Sequence, residues 1–584
     1  MSTTVADASA GAHAEQPEPG RRHRARIWNW FVLGVTVAVF AVLAWNRRWM
    51  SDDGLIVLRT VRQILAGNGP VFNVGERVES NTSTLWTYLL VAFGWIPGLR
   101  LEWLAVILGL LCSIGGLLLA LDGTRRLAGP TRSTIVAPAG VLVLIALPPF
   151  RDFATSGLET GLITLWLGTT WWLLVRHARR TPACPVAVTA LVIGLGVLVR
   201  PDLALFSAFA GLGLLLLEWR GWRRALLWAA AAAALPIAYQ IFRMGYYGLL
   251  TPNTALVKEA SNAMWSRGWD YLADFTGPYY LWIPLVLCAV LGGLTLRRAR
   301  IDRPVVIVVA VSLLGGIALA LYVIRVGGDF MHGRMLLPAL FSLMLPIMVV
   351  RLTRATVVPA LALGVWAIVA TGWLRTDFAT AGKPVDETVT IADERVAYVA
   401  ASHHAHPILA EDFDEFTAIA RPINAMLATD RSPAILVQSK EGGWHRYPST
   451  NGRTIATFFN IGGPGMLLPL DMWVHDPIGL ANPVAAHTTP YPTRRIGHNK
   501  YAGAAWEAAQ FARGTPAELI AQGDFTVGSL DAIRRTLACR HNPEMLESVR
   551  APLTAGRFWR NFVHAVGRTG LRYDYDPRVA QTCP

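Results

Sequence analysis

WMSDDGLIVLRTVRQILAGNGPVFN, residues 49–73, is the stretch on which the reading of this 584-residue chain turns. It follows an apolar run, residues 28–45, close to the ~20 residues that a membrane crossing needs. Two adjacent carboxylates, Asp52 and Asp53, open it. Leu55, Leu58, Val61 and Leu65 then recur at helical spacing. Ser51 or Asp52 stands where a helix N-cap belongs, and AGNG at 66–69 supplies a stop. The pattern predicts an amphipathic helix along the membrane surface, where the chain leaves the lipid. A cap needs one carboxylate. The second is free to accept a proton or bind a cation.

The surroundings support a membrane setting. The chain is 53% hydrophobic and 16% charged, against about 25% charged in soluble domains. Its apolar residues lie in blocks that end near residue 373. The net charge of +14 comes from arginine clusters between those blocks: RRHRAR (21–26), TRR (124–126), RHARR (176–180), EWRGWRR (218–224), RRARIDR (297–303) and RLTR (351–354). Clusters so placed are the mark of cytoplasmic connectors and not of nucleic-acid binding. Keeping all of them on one side requires that STLWTYLLVAFGWIPG (83–98) does not cross but lies as a juxtamembrane or re-entrant helix. The remaining spans are then about 28–46, 101–121, 134–148, 160–175, 185–200, 202–217, 225–243, 279–296, 304–324, 334–350 and 356–373, about 11 in all. The expected organisation is a disordered cytoplasmic tail (1–26, with no evident cleaved leader), a transmembrane domain (27–373) and an extracytoplasmic α/β domain (374–584). Within the latter, Cys539 and Cys583 form the natural disulfide pair for a domain outside the cell.

The loops on the side of Asp52 and Asp53 gather polar groups, and charges at membrane depth tend to mark function. NVGERVESNTSTLW (73–86) offers Glu79 and Asn81 for sugar hydroxyls or a cation. RPD (200–202) and GGDFMHGR (327–334) offer Arg200 and Arg334 for a phosphate, with Asp329 and His332 beside them; local pairing is the alternative. Arg47, Arg48, Arg59 and Arg62 suit either ion pairs with the aspartates or a phosphate clamp. In the tail, VHDPIGLANPVAAH (474–487) and RRIGHNK (494–500) lack zinc-ligand spacing. Their His475, Asp476, Arg495 and His498 are expected on the acceptor side of a cavity mouth. No nucleotide loop, nucleophile elbow or zinc signature occurs, so no nucleotide cofactor is expected.

A carboxylate pair in a large first external loop, a juxtamembrane helix, about a dozen spans and an external C-terminal domain resemble the GT-C glycosyltransferases. Within them, residues 51–86 together with HDPIGLANPVAA (475–486) and RRIGHNK (494–500) resemble the actinobacterial terminal β-(1→2) arabinofuranosyltransferases of AftB type. The resemblance implies a decaprenyl-phospho-arabinofuranose donor in the outer leaflet of the plasma membrane. It implies an acceptor at the non-reducing end of arabinan, in arabinogalactan or lipoarabinomannan, and a role in cell-wall biogenesis. The implied donor linkage is β, so configuration is retained. Asp53 is expected nearest the reacting centre. Asp52 is its partner, or the two together hold a divalent cation (Mg, Mn or Ca). The N-terminus is expected in the cytoplasm, with the active site and the C-terminal domain outside. Another GT-C enzyme, such as a mannosyltransferase, fits the same architecture. A lipid-linked sugar flippase would carry its polar groups nearer the bilayer midplane.

Overall fold

The computed structural model describes residues 19–128, 135–259, 262–297, 302–374, 391–438, 443–491, 497–515, 518–519, 525 and 528–582. Five of its helices are long and apolar enough to cross a membrane: His23–Trp45, Leu101–Leu127, Pro201–Glu218, Trp222–Tyr246 and Arg303–Arg325. Between them run Thr160–Ala178 and the shorter apolar segments Val186–Val199, Trp282–Leu296 and Val357–Gly372. The first helix begins at Pro19, so part of the expected tail 1–26 is helical; residues 1–18 lie outside the described residues.

Arginine connectors gather at one end of this bundle. Asp122 pairs with Arg125 and Arg126, and Arg179 with Asp302. Arg179 also donates to the Leu127 carbonyl and Arg351 to that of Ala128. The helix Thr84–Phe93 has ten residues, about half the length a crossing needs. Ser83, before it, faces the same pocket as His498 of the tail. Arg100, after it, pairs with Glu411 of the tail at 2.8 Å.

Two expected spans are not continuous helices. Residues 134–148 contain the strand Val136–Pro138 and the helix Gly140–Ala146; residues 334–350 contain the helix Leu337–Met344 and the strand Val349–Arg351. The strands pair antiparallel, Val136 opposite Arg351. Both helices are buried almost throughout. Irregular backbone is tolerated at membrane depth where protein and not lipid surrounds it, and such segments need not span the hydrocarbon as one helix.

A glycine seam sets one wall of the bundle. Gly109 and Gly116 lie against Gly161 and Gly168 so closely that a Cβ on Gly161 would stand 2.1 Å from the Gly109 carbonyl oxygen, and one on Gly168 2.3 Å from that of Gly116. Small residues at this spacing let helix backbones approach. The seam fixes the start of Thr160–Ala178, and with it Glu159.

The helix Asp52–Leu65 is amphipathic, as its spacing predicts, yet it is sandwiched instead of lying free on a membrane surface. Leu55, Leu58 and Val61 join the bundle's core, while Ile56 joins a core of the C-terminal part. Buried Arg59 donates to the carbonyls of Phe72 (3.0 Å), Gly465 (2.7 Å) and Met472 (2.7 Å), and Arg62 to that of Met466 (2.6 Å). Arg47 pairs with Asp152. Three of the four outer arginines are thus structural ties and not a phosphate clamp.

The C-terminal part holds a four-stranded sheet in the order Trp444–Pro448, Ala434–Gln438, Ile455–Thr457, Trp473–His475. The first pair is antiparallel and the other two parallel. Helices including Asp414–Thr429, Ala504–Phe511, Ser529–Ala538 and Ala555–Gly570 surround it. Cys539 is disulfide-bonded; its expected partner Cys583 lies outside the described residues, as do residues 375–390, which follow the expected boundary at 373/374.

Candidate active site

Ser51 is the N-cap of Asp52–Leu65: its hydroxyl accepts from the Gly54 N–H at 3.0 Å. That leaves both aspartates of the first turn for other work. Asp52 turns to the tail, where its carboxylate accepts from the Gly463 N–H at 3.0 Å, at the start of the helix Gly462–Leu467. A Cβ on Gly462 would stand 2.1 Å from the Asp52 carbonyl oxygen, so only glycine allows this approach. Asp53 turns the other way, into a pocket, with its side chain 26% exposed.

The pocket encloses about 630 Å³, counting the open space at its mouth. Six parts of the chain build it. Asp53, Ile56 and Val57 come from the first-loop helix, Ser80–Ser83 from the turn after it, and Leu158 and Glu159 from the start of the seam helix. Thr254, Lys258, Phe330 and Arg334 come from two further loops, and Leu480, Gly497 and His498 from the tail. His498 is packed between Phe330 (ring centroids 4.9 Å apart) and Phe459 (5.5 Å).

The charges alternate. Arg334 Nη1 stands 3.3 Å from Asp53 Oδ2, and its Nε 3.7 Å from Asp329 Oδ2. Lys258 Nζ is 3.9 Å from Asp329 Oδ1, and Arg200 Nη1 is 3.5 Å from Glu159 Oε1. Burial pushes the Asp329 carboxyl up, but Lys258 and Arg334 outweigh it and hold the group below its ordinary value. For Glu159 burial is likewise outweighed, by Arg334 and Arg200. Glu159 Oε1, Thr254 Oγ1 and Arg334 Nε are buried without a hydrogen-bond partner among the described residues. Buried polar groups left without partners call for an explanation, and at the wall of a cavity a bound ligand or water supplies one. Arg334 is aimed by Gly333, whose φ of +69° is left-handed and whose missing Cβ leaves room for the Phe275 ring.

Of the residues read from sequence, Asp53, Asn81, Arg334 and His498 line the pocket. Asp329 and Arg200 stand one layer behind: Asp329 steadies Arg334 and Lys258, and Arg200, also paired with Asp202 at 2.7 Å, steadies Glu159. The others stand elsewhere. Glu79 is buried in an ion pair with Arg243 at 2.6 Å and accepts from the Tyr239 hydroxyl at 2.7 Å, which ties the first loop to Trp222–Tyr246. His332 lies between Asp274 (2.6 Å) and the Tyr279 hydroxyl (2.9 Å), outside the pocket. His475, the last residue of the strand Trp473–His475, and Asp476 after it are both buried and not an acceptor surface. His475 Nε2 is 2.9 Å from the Ala502 carbonyl oxygen, and the Asp476 carboxylate accepts from the N–H groups of Ile478 (2.9 Å) and Ala481 (2.7 Å). Arg495 lies outside the described residues.

The pair Asp52 and Asp53 does not suit a shared cation. The two carboxylates are engaged by different partners, and the pocket side already carries Arg334 and Lys258. Among the described residues no group of three or more His, Cys, Asp or Glu is arranged to hold a metal.

Glu159 and Lys258 are the pocket residues that sequence reasoning missed. Each is one charge at a helix end, indistinguishable from a cap or a solvated residue. Only the fold shows how Lys258 is placed: its neighbour Glu259, at φ +46°, is held by Lys500 and by Arg572 at 3.3 Å. Lys500 belongs to the same RRIGHNK run as His498, so that run positions one pocket residue and supplies another.

Residues 419–582 match the family described as "AftB family C-terminal domain". The chain is 41% identical to the terminal beta-(1->2)-arabinofuranosyltransferase of Mycobacterium tuberculosis, over 95% of this chain and 96% of that protein. The chain belongs to this arabinofuranosyltransferase family. A second member, from Corynebacterium glutamicum, is 38% identical over 92% of this chain and 85% of its own length. Among solved structures, ArnT from Cupriavidus metallidurans bound to undecaprenyl phosphate is 16% identical, with a TM-score of 0.43 over 69% of this chain and 73% of that one. That likeness is too loose to carry an argument.

Proposed function

We propose that this membrane glycosyltransferase moves arabinofuranose from decaprenyl-phospho-arabinofuranose to the non-reducing ends of cell-wall arabinan, making a terminal β-(1→2) linkage. The observation that carries the reading is the pocket in which Asp53 faces Arg334 at 3.3 Å, with Lys258 on the same wall, in a chain of this family.

Each charge has a task in such a transfer. The bond from the anomeric carbon to the phosphate oxygen breaks as a bond to the acceptor's 2-hydroxyl forms. Negative charge grows on the departing decaprenyl phosphate, where Arg334 and Lys258 stabilise it. Positive charge grows on the sugar, where Asp53 stabilises it. With a β-linked donor the configuration is retained. Arg334 occupies Asp53 as an ion-pair partner, which weakens the carboxylate as a nucleophile. This favours attack from the face the phosphate leaves, with the hydroxyl proton passing to a phosphate oxygen, over a covalent sugar–Asp53 intermediate. The hydroxyls of Ser80, Thr82, Ser83 and Thr254 and the amide of Asn81 are the sugar-facing groups. In this reading the fold is of GT-C type, the bundle up to about residue 373 holds the lipid, and residues 374–584 roof the site from outside the cell.

The test is transfer by the purified protein from polyprenyl-phospho-arabinofuranose and from polyprenyl-phospho-mannose to a synthetic arabinan oligosaccharide. Arabinofuranosyl product alone is expected. Mannosyl product would replace the reading with another transferase, and lipid movement without product would replace it with a transporter.

A further inference from the structure

The helix Ala555–Gly570, AGRFWRNFVHAVGRTG, carries its polarity the wrong way round for a water-facing surface. Its inward face is Asn561, Ala565 and Arg568, all buried. Asn561 Nδ2 donates to the carbonyls of Gly245 (3.1 Å) and Ser548 (2.9 Å). Arg568 pairs with Glu544 and donates to the Gly248 carbonyl at 3.0 Å. The outward face, at spacing i, i+4, i+7, is Trp559, Val563 and Val566, exposed by 58%, 70% and 59%. A helix on a water-facing surface turns its polar stripe outward. This one keeps the polar stripe for the protein and offers the apolar one.

Its position says what covers that stripe. Phe558 packs on Gly245, where a Cβ would stand 2.2 Å from the ring, at the end of the candidate span Trp222–Tyr246. None of that span's apolar window is buried inside the protein; Leu226, Leu227, Leu235, Ile237 and Ile241 are all exposed. The apolar surface of a lipid-facing helix therefore continues onto Trp559, Val563 and Val566. Arg560 and His564 are exposed along the edge of the stripe, where lipid phosphates would meet them.

We propose that Ala555–Gly570 is an interfacial helix, seated in the headgroup–acyl boundary of the leaflet nearest the pocket. It holds the C-terminal part down on the membrane from the side, in addition to the contacts of Asp52, Arg59 and Arg62 from within. A lipid-linked donor then moves beneath a roof with two fixed points, and His498 stays over the pocket while a long acceptor is engaged. The proposal rests on the membrane reading of the bundle and not on the identity of the sugar.

The experiment uses the full chain with a nitroxide on Val563→Cys, and on Ala428→Cys as an exposed control, reconstituted one copy per nanodisc of phosphatidylglycerol and phosphatidylcholine. Unlabelled-site background is set by the wild type, whose Cys112 and Cys288 are buried. The Val563 probe is expected to lose collisions with a water-soluble nickel chelate severalfold, and to gain collisions with oxygen, relative to the Ala428 probe. Equal access of the chelate to both probes overturns the proposal. Protection that appears only when several copies share a vesicle, and vanishes in single-copy nanodiscs, also overturns it and identifies a second copy as the occupant. Neither result touches the transferase reading, which is tested by product formation.

Discussion

Replacing Arg334 by methionine removes the cation that stands between Asp53 and Asp329. At 3.3 and 3.7 Å, and with an effective dielectric of about 20, each attraction is worth roughly 5 kcal/mol before desolvation. Removing one member of a buried pair costs about 3–5 kcal/mol net, because the other charge is left buried and uncompensated. Lys258, 3.9 Å from Asp329, recovers part of this, so the lower end of that range is expected for Arg334→Met. Adding Asp329→Asn removes the stranded charge and is expected to restore most of the lost stability. It is not expected to restore activity, because the departing phosphate still lacks its guanidinium; loss of one such group costs about 100- to 1,000-fold in rate. Thermal unfolding in detergent reads the first effect, and transfer from a labelled lipid donor at saturating acceptor reads the second. A double variant that regains both stability and activity would refute the assignment, since Arg334 would then be a structural counter-ion only.

Other positions separate structure from chemistry in the same way. Asp52→Asn keeps an oxygen for the Gly463 N–H, so it is expected to retain most activity, while Asp52→Ala loses about 0.5–2 kcal/mol of stability, as for a helix cap; calorimetry and specific activity measured together check both. Gly161→Ala drives a methyl toward the Gly109 carbonyl 2.1 Å away and is expected to cost about 1–3 kcal/mol through overpacking, seen as reduced yield of folded protein and a lower unfolding temperature. Buried Glu507, with Thr457 its one side-chain donor among the described residues, is raised by burial from its usual 4.5 to about 8. The folded state binds that proton more tightly, so stability is full below about 4.5 and falls as pH rises through about 8. Glu507→Gln is expected to flatten this slope, measured by unfolding between pH 5 and 9.

What the sequence disclosed follows from which signals are local. The alternation of apolar blocks with arginine connectors marked 83–98 as a segment expected not to cross; its helix, Thr84–Phe93, is ten residues long, Ser83 before it shares a pocket with His498, and Arg100 after it pairs with Glu411. Local spacing also predicted the helix after Ser51. It could not distinguish Asp52 from Asp53, because the partner that claims Asp52 is Gly463, 411 residues away. Glu79 and Asp476 read as ligands because isolated polar groups near a membrane look functional. Their partners, Arg243 and two backbone N–H groups, appear only in the folded chain. The apolar runs 134–148 and 334–350 read as full spans because hydropathy does not tell lipid-facing from protein-buried segments. Glu159 was hidden for the opposite reason, since a lone carboxylate before a helix is ordinary.

In the proposed transfer Asp53 faces the reacting carbon. Asp53→Asn replaces one oxygen with nitrogen at a side chain that is partly exposed and pairs with Arg334 at 3.3 Å, so the fold should survive. The measurement is initial-rate transfer of labelled arabinofuranose from the polyprenyl-phosphate donor to an arabinan oligosaccharide, with wild type and variant purified in parallel and matched for folded fraction at the assay temperature. Transfer is predicted to fall to background in a variant that still folds, with a modest loss of stability because Arg334 keeps Asp329 at 3.7 Å; transfer at the wild-type rate would show that Asp53 has no part in the reaction.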